Sequence, residues 1–282
     1  MNILIIGGTR FIGRHIALNL LASGHSVVLM HRSETMALDL PQFEHLIVDR
    51  RNFDSLRIST TFDLVIDTCA YMPSDIAILK YIQFKKYLFI SSVAVYRSDI
   101  PDNSNEDASR ISNEDEERLR NDYGYQKKQT EDLLLSKIPN SIILRASIVL
   151  GPAENSGRLN RILEKFVRSK VLYAPLSDSN SLVTQFIDVR DLTQLTLRII
   201  ESNMTGIFNL VGKSCRWNDF ISSFASAGAL EVVNCADDTF PLFDSTKSTG
   251  LRTLRSRHAF INSHEFLQLE ETLIDWFNST KV

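Results

Sequence analysis

The stretch that most constrains this chain is its opening, MNILIIGGTRFIGRH, residues 1–15. An apolar run from Ile3 to Ile6 reads as a short buried strand. Two glycines follow, and a helical pattern continues through Ile12, Ile16, Leu20 and Leu21. Strand, tight glycine turn and helix is the context in which spaced glycines have a mechanism. Backbone N–H groups at the helix start, with the positive end of its dipole, hold a pyrophosphate. Gly7 permits the turn and Gly13 lets the helix lie close to the strand. Gly7, Gly8, Thr9, Arg10, Phe11, Ile12 and Gly13 are therefore candidate cofactor-binding residues. Arg10 stands where such a turn usually has its middle glycine. That leaves two readings open: displaced phosphates, or a charge-assisted contact from the guanidinium itself.

Strands and helices alternate onward from this turn. Ser23-Gly24 ends the first helix, and Ser26 to Met30 is a second strand. A dinucleotide fold usually places Asp or Glu at its end, to bind the adenosine ribose. This chain has His31-Arg32-Ser33 there, so NADP is expected in preference to NAD, with Arg32 facing a 2′-phosphate. His45 to Val48 is a third strand, and Asp49 just beyond it is placed either to accept from the adenine amino group or to cap a helix. Asp63 to Asp67 and Tyr87 to Ile90 are the fourth and fifth strands, with a helix over 74–83 between them. Small residues after the fourth, Ala70 among them, would let the chain pass beside a cofactor. The pattern predicts an α/β fold with a doubly wound parallel sheet and ligands at the strands' carboxyl ends.

Ser91-Ser92-Val93-Ala94-Val95-Tyr96 follows the fifth strand, and then a polar, acid-rich loop runs from Arg97 to Asp122. Tyr123-Gly124-Tyr125-Gln126-Lys127 opens a helix. Tyr123 and Lys127, four apart, share one helix face. A lysine charge beside a phenol favours phenolate, and such a tyrosine can act as general acid or base on a carbonyl or alcohol. A serine hydroxyl from the end of the fifth strand could hold the same oxygen.

The order of GGTRFIG (7–13), SSVAVY (91–96), YGYQK (123–127), LRASIVLGP (144–152) and QFIDVRDL (185–192) resembles the extended short-chain dehydrogenase/reductase superfamily, of the NAD(P)-dependent epimerase/dehydratase type. The resemblance implies Ser92, Tyr123 and Lys127 as the catalytic set, with Lys127 also holding the nicotinamide ribose. It implies hydride transfer between nicotinamide and a hydroxyl or carbonyl carbon of a small molecule, a nucleotide-sugar being one class. Two alternatives stay open: an epimerase with tightly held NAD, and a non-catalytic NAD(P)-binding regulatory or RNA-binding protein. GGTRFIG, with its arginine, resembles a branch that includes reductases and epimerases as well as relatives of chloroplast RNA-binding proteins. Val93-Ala94 stand where family dehydratases carry Asp-Glu, which speaks against 4,6-dehydration; Arg97 and Ala146 replace a usual glycine and proline.

With 282 residues, one large or two intimate domains are expected. A nucleotide-binding domain would span 1–150 with 184–212 returning to it. A substrate lobe would take 151–183 and 213–282, with a short strand at 171–174, a loop at 175–180 and a strand at 231–234. Arg158, Arg161, Arg252, Arg255 and Arg257 add positive charge to that lobe. Arg158, with Tyr96, is the candidate for substrate binding. A net charge of −3 speaks against a dedicated nucleic-acid binder. Cys69, Cys215 and Cys235 show no metal spacing, so reduced thiols and no metal are expected. No apolar stretch reaches membrane-spanning length, and the first strand begins at residue 2 with no room for a leader before it; a cytoplasmic protein is expected. The resemblance adds a possible homodimer through helices 74–83 and 113–136.

Overall fold

The computed structural model describes residues 1–52, 58–112, 122–169, 183–228 and 253–280. The run at Ile3 to Ile6 becomes strand β1 (Asn2–Ile6), buried along its whole apolar length, as a central strand of a parallel sheet must be. Helix α1 (Phe11–Ala22) follows the glycine turn. It ends as the sequence predicts: Gly24 takes φ +81°, its N–H donates to the Leu21 carbonyl, and the His25 N–H donates to that of Leu20. This pair of bonds satisfies carbonyls that the helix end would otherwise leave bare.

Next come β2 (Ser26–His31), the short α2 (Glu34–Leu38), β3 (Glu44–Ile47), β4 (Thr61–Asp67) and β5 (Gln83–Ser92). Helix α3 (Tyr123–Lys137), β6 (Ile142–Ala146), β7 (Ile148–Leu150), α4 (Arg158–Ser169), β8 (Val183–Asp188), α5 (Val189–Glu201) and β9 (Gly206–Leu210) follow. The chain continues with β10 (Ser214–Arg216), α6 (Trp217–Ala227), α7 (Ala259–Asn262) and α8 (Leu269–Ser279). The segment expected as a regular helix over 74–83 is a 3-10 helix, Pro73–Tyr81. Proline at its first position and Asp75, whose carboxylate accepts the N–H groups of Tyr71 and Met72, set its start.

A seven-stranded sheet runs in the order β3-β2-β1-β4-β5-β6-β9. Its pairs from β3 through β6 are parallel, with Ile3 opposite Val27 on one side and Leu64 on the other. This is the doubly wound order, reversing beside β1. One core cluster packs Leu4, Ile6, Val28, Met30, Val65, Phe89 and Ile143 with Leu134 of α3. The carboxyl ends of β1, β2, β4 and β5 thus emerge on one edge of the sheet, each leading into a turn that bears a candidate residue.

The chain divides into two units. The first comprises 1–96, 109–146 and 193–209; the second comprises 97–108, 147–192 and 210–282. The strand at 183–188, expected with the nucleotide-binding body, falls in the second unit. There β8 pairs in parallel with β7 and antiparallel with β10. The second unit's core stacks Phe186 on Phe220 and gathers Phe224, Leu273 and Trp276 between α6 and α8, so Trp276 is a core residue. The strands expected at 171–174 and 231–234, the loop at 175–180, Arg252 and Cys235 lie outside the described residues.

Candidate functional site

The glycine turn is built by close approach. Gly7 adopts φ +85°, and its N–H donates to the Met30 carbonyl at 3.0 Å. A Cβ on Gly13 would sit 2.3 Å from the Gly7 carbonyl oxygen, so only glycine lets α1 press onto β1 here. Gly8 is packed the same way, its missing Cβ lying 2.6 Å from Leu29. Phe11, at the first helical position, is buried with φ +34°. Arg10 is the N-cap and gives no side-chain cap to the helix; its guanidinium side is exposed. The first turn of α1 carries no acidic residue. Uncapped N–H groups at the positive end of a helix, with the adjoining glycines lacking side chains, fit an anion such as a dinucleotide pyrophosphate. Thr9 and Ile12 lie in this turn, both partly exposed.

The candidate proton-handling set sits where β5 ends and α3 begins. Ser92 is the last residue of β5 and the N-cap of a 3-10 turn, Val93–Val95. Its hydroxyl accepts from the Ala94 N–H at 3.2 Å and remains partly exposed. Asp122 caps α3 by accepting from the Tyr125 N–H. Tyr123 then opens the helix with 43% of its surface exposed. Gly124 decides how close the two pieces come: a Cβ there would lie 2.1 Å from the Ala94 carbonyl oxygen.

Lys127, one turn further, is buried under Tyr123, its Nζ 5.8 Å from that ring's centroid and 4.5 Å from the Phe89 ring's. The ammonium donates to the carbonyls of Ala70 at 2.7 Å and Ile90 at 2.8 Å. Burial pushes it down to about 8, against an opposing pull from the charges of Asp67, Cys69 and Glu131. Tyr71, from the turn after β4, places its ring 5.4 Å from that of Tyr123. Spacing on one helix face found the Tyr123–Lys127 pair. Tyr71 and Gly124 had no periodic signal, because their partners lie far away in sequence.

Toward the other end of the sheet edge, His31 turns inward, its Nε2 2.8 Å from His45 Nδ1, and burial followed by the His45 charge holds its pKa low. Arg32 is exposed. Asp49 is exposed and accepts from the Arg51 N–H at 2.9 Å. Arg50, which the sequence reading passed over, points into the protein. It meets Asp67 with paired bonds of 3.1 and 2.6 Å. A carboxylate closing an apolar strand, with a double arginine earlier in the chain, was the signal available.

Tyr96 is buried with its hydroxyl 2.7 Å from both Arg145 and Asn209. Arg145 in turn pairs with Glu131 at 2.7 Å, both fully buried, and Ser91 donates to that same carboxylate. The hydroxyl proposed for substrate is therefore spent inside the first unit, because the buried Arg145 needs an acceptor for each N–H.

Within the second unit, Arg158 opens α4 and its guanidinium donates to Ser156 Oγ at 3.1 Å. Arg257 pairs with Asp107 at 2.8 Å, and Glu106 is buried against Ser256 and the Arg257 N–H. The acid-rich stretch is therefore not wholly solvated. A cavity of about 380 Å³ in this unit is lined by Asp188, Asp191, Lys213, Cys215, Asp219 and Phe266, among others. Among the described residues, no helix is long and apolar enough to cross a membrane, and no group of three or more His, Cys, Asp or Glu is placed to hold a metal ion.

Comparison with known proteins relates this fold to solved structures and one curated relative. A curated relative, the chloroplast stem-loop binding protein of 41 kDa b from Arabidopsis thaliana, is 29% identical, over 92% of this chain and 71% of its own length. Among solved structures, the UDP-glucuronic acid 4-epimerase from Bacillus cereus in complex with NAD shares the fold at a TM-score of 0.77. It is 19% identical, over 99% of this chain and 96% of that one. The UDP-glucose 4-epimerase from Bifidobacterium longum, in complex with NAD+ and UDP, has a TM-score of 0.74 and 15% identity, over 99% and 98% of the two chains. Residues 75–210, which hold Ser92, Tyr123 and Lys127, match the model of the NAD dependent epimerase/dehydratase family.

Proposed function

We propose that this protein is an NAD(P)-dependent enzyme that moves a hydride between the nicotinamide and a hydroxyl- or carbonyl-bearing carbon of a small molecule, a nucleotide-sugar being the substrate class. The observation that carries the reading is Lys127, buried beneath the ring of the exposed Tyr123 and held by two backbone carbonyls. A bound nicotinamide would supply the hydride acceptor or donor. Everything else falls to the chain. The turn from Gly7 to Gly13 binds the pyrophosphate through uncapped N–H groups. Ser92 orients the substrate oxygen. Tyr123 moves the proton on that oxygen, and the Lys127 charge favours the phenolate when the proton is taken. Asp49 and Ala70 border the dinucleotide, Arg158 assists the substrate, and the active form is a homodimer.

NADP is the preferred cofactor in this reading, because Arg32 is exposed at the end of β2 with no carboxylate beside it. The likeness to NAD-holding structures supports the alternative, an internal cycle on retained NAD. Mass spectrometry of small molecules released from the denatured protein separates the two. Stoichiometric NAD supports the epimerase. NADP, or an empty site that prefers NADPH to NADH, supports a reductase. An empty site that binds neither cofactor overturns the enzyme reading.

A second reading, RNA binding, is favoured by the relative named for its stem-loop. Gel-shift titration with a stem-loop RNA tests it. Tight binding unaffected by Tyr123→Phe would support that reading, and no binding at physiological salt would sink it.

A further inference from the structure

At the carboxyl end of β4, one carboxylate gathers five hydrogen bonds. Asp67 is fully buried. Its Oδ1 accepts the N–H groups of Cys69 at 3.1 Å and Ala70 at 2.8 Å. Its Oδ2 accepts the Tyr87 hydroxyl at 2.9 Å, and Arg50 bridges both oxygens. Arg50 is also tied to the next segment, donating from two nitrogens to the Asp75 carbonyl at 3.1 and 2.6 Å.

The peptide chain carries this arrangement to the proton-handling set. Asp67 holds the N–H of Ala70, and the carbonyl of Ala70 holds the Lys127 ammonium. Asp75 holds the N–H of Tyr71, whose ring lies beside that of Tyr123. We propose that the Arg50–Asp67 ion pair is a positioning device for Lys127: it folds the turn after β4 so that the Ala70 carbonyl meets the ammonium, and it places two opposed charges beside it. Neither residue is placed to touch substrate. The proposal rests on the role given to Lys127 above, but it concerns a property of the protein without cofactor.

Among the described residues, the groups that face Lys127 come from four elements. Asp67 and Cys69 come from the end of β4, Arg50 from the end of β3, Tyr123 and Glu131 from its own helix, and the Phe89 ring from β5. Glu131 also favours the charged lysine, and its carboxylate is paired with Arg145. Asp67 raises the affinity of Lys127 for its proton and Arg50 lowers it, with Asp67 the stronger. Removing the two partners singly therefore moves Lys127 in opposite directions, which plain structural damage would not do.

The test is a titration of the lysine Cε resonances in the full chain labelled with 13C-lysine, using Lys127→Arg to assign the signal. The wild-type midpoint is expected at about 8. Asp67→Asn should lower it by roughly one pH unit, and Arg50→Gln should raise it by less. Arg50→Lys should leave it within a few tenths. Because either neutral variant strands a buried charge, the double variant Arg50→Gln/Asp67→Asn is measured alongside, and its midpoint should fall. Midpoints that stay at the wild-type value in the folded variants, or that move the same way in both single variants, overturn the proposal. The titration needs no cofactor or substrate. A chain that binds no NAD(P) yet shows the opposite shifts loses the enzyme reading and keeps this one. A chain that binds cofactor with an unmoved Lys127 does the reverse.

Discussion

At the scale of single residues, the proposed chemistry depends on a charge kept where it is expensive. Lys127 is nearly enclosed, and burial moves its titration down to about 8. The ammonium is present below that value and lost above it, so whatever it supports is supported on the acid side. Turnover at saturating cofactor should therefore fall as pH rises through about 8. A pH–rate profile checks this, and a profile flat to pH 10 would remove Lys127 from the mechanism. Tyr123→Phe takes away the proposed proton carrier without changing the ring that packs on Tyr71. It should lower turnover by about 10²–10⁴-fold while leaving cofactor affinity, measured by calorimetry, within about threefold. Loss of affinity equal to the loss of turnover would mean that the phenol binds rather than reacts.

At the scale of elements, two glycines and one ion pair set the distances. Gly13 and Gly124 each face a backbone carbonyl that cannot yield as a side chain would, at 2.3 and 2.1 Å from a Cβ. Alanine at either position should cost about 1–3 kcal/mol in denaturant unfolding. The two should differ in function: Gly13→Ala should weaken cofactor binding, and Gly124→Ala should lower turnover by moving Tyr123 away from the Ser92 turn. Equal effects on both quantities would break this division. The Glu131–Arg145 pair holds α3 against β6, with Ser91 and Tyr96 completing its bonds. Arg145→Met leaves a buried carboxylate short of its main partner, and unfolding should become easier by about 3–5 kcal/mol. Adding Glu131→Leu should recover part of that loss, because a buried ion pair is costly to break and cheap to replace whole.

At the scale of the molecule, the parallel sheet gathers on one edge the turns after β1, β2, β4 and β5, which are far apart in sequence. A ligand that binds across those turns binds only the folded chain. NADPH or NADH at about 100 times its dissociation constant should stabilise the protein by about 2.7 kcal/mol. Chemical unfolding with and without each cofactor measures this and ranks the two in one experiment. No stabilisation by either at millimolar concentration would argue against the whole functional reading.

The sequence by itself determined what is local and periodic. The buried run Ile3 to Ile6, the glycines at 7 and 13, the end of α1 at Gly24 and the Tyr123–Lys127 spacing all follow from patterns within a few residues, and the alternation of such patterns predicted the doubly wound sheet. Only the tertiary structure decided which groups satisfy one another across the sheet. It turned Arg50 inward to Asp67, took the Tyr96 hydroxyl for Arg145, moved the strand at 183–188 beside β7, and brought Gly124 against Ala94. The physical reason is that a buried polar group must find a partner wherever the fold places one, and a close contact between distant segments leaves no period in the sequence to read.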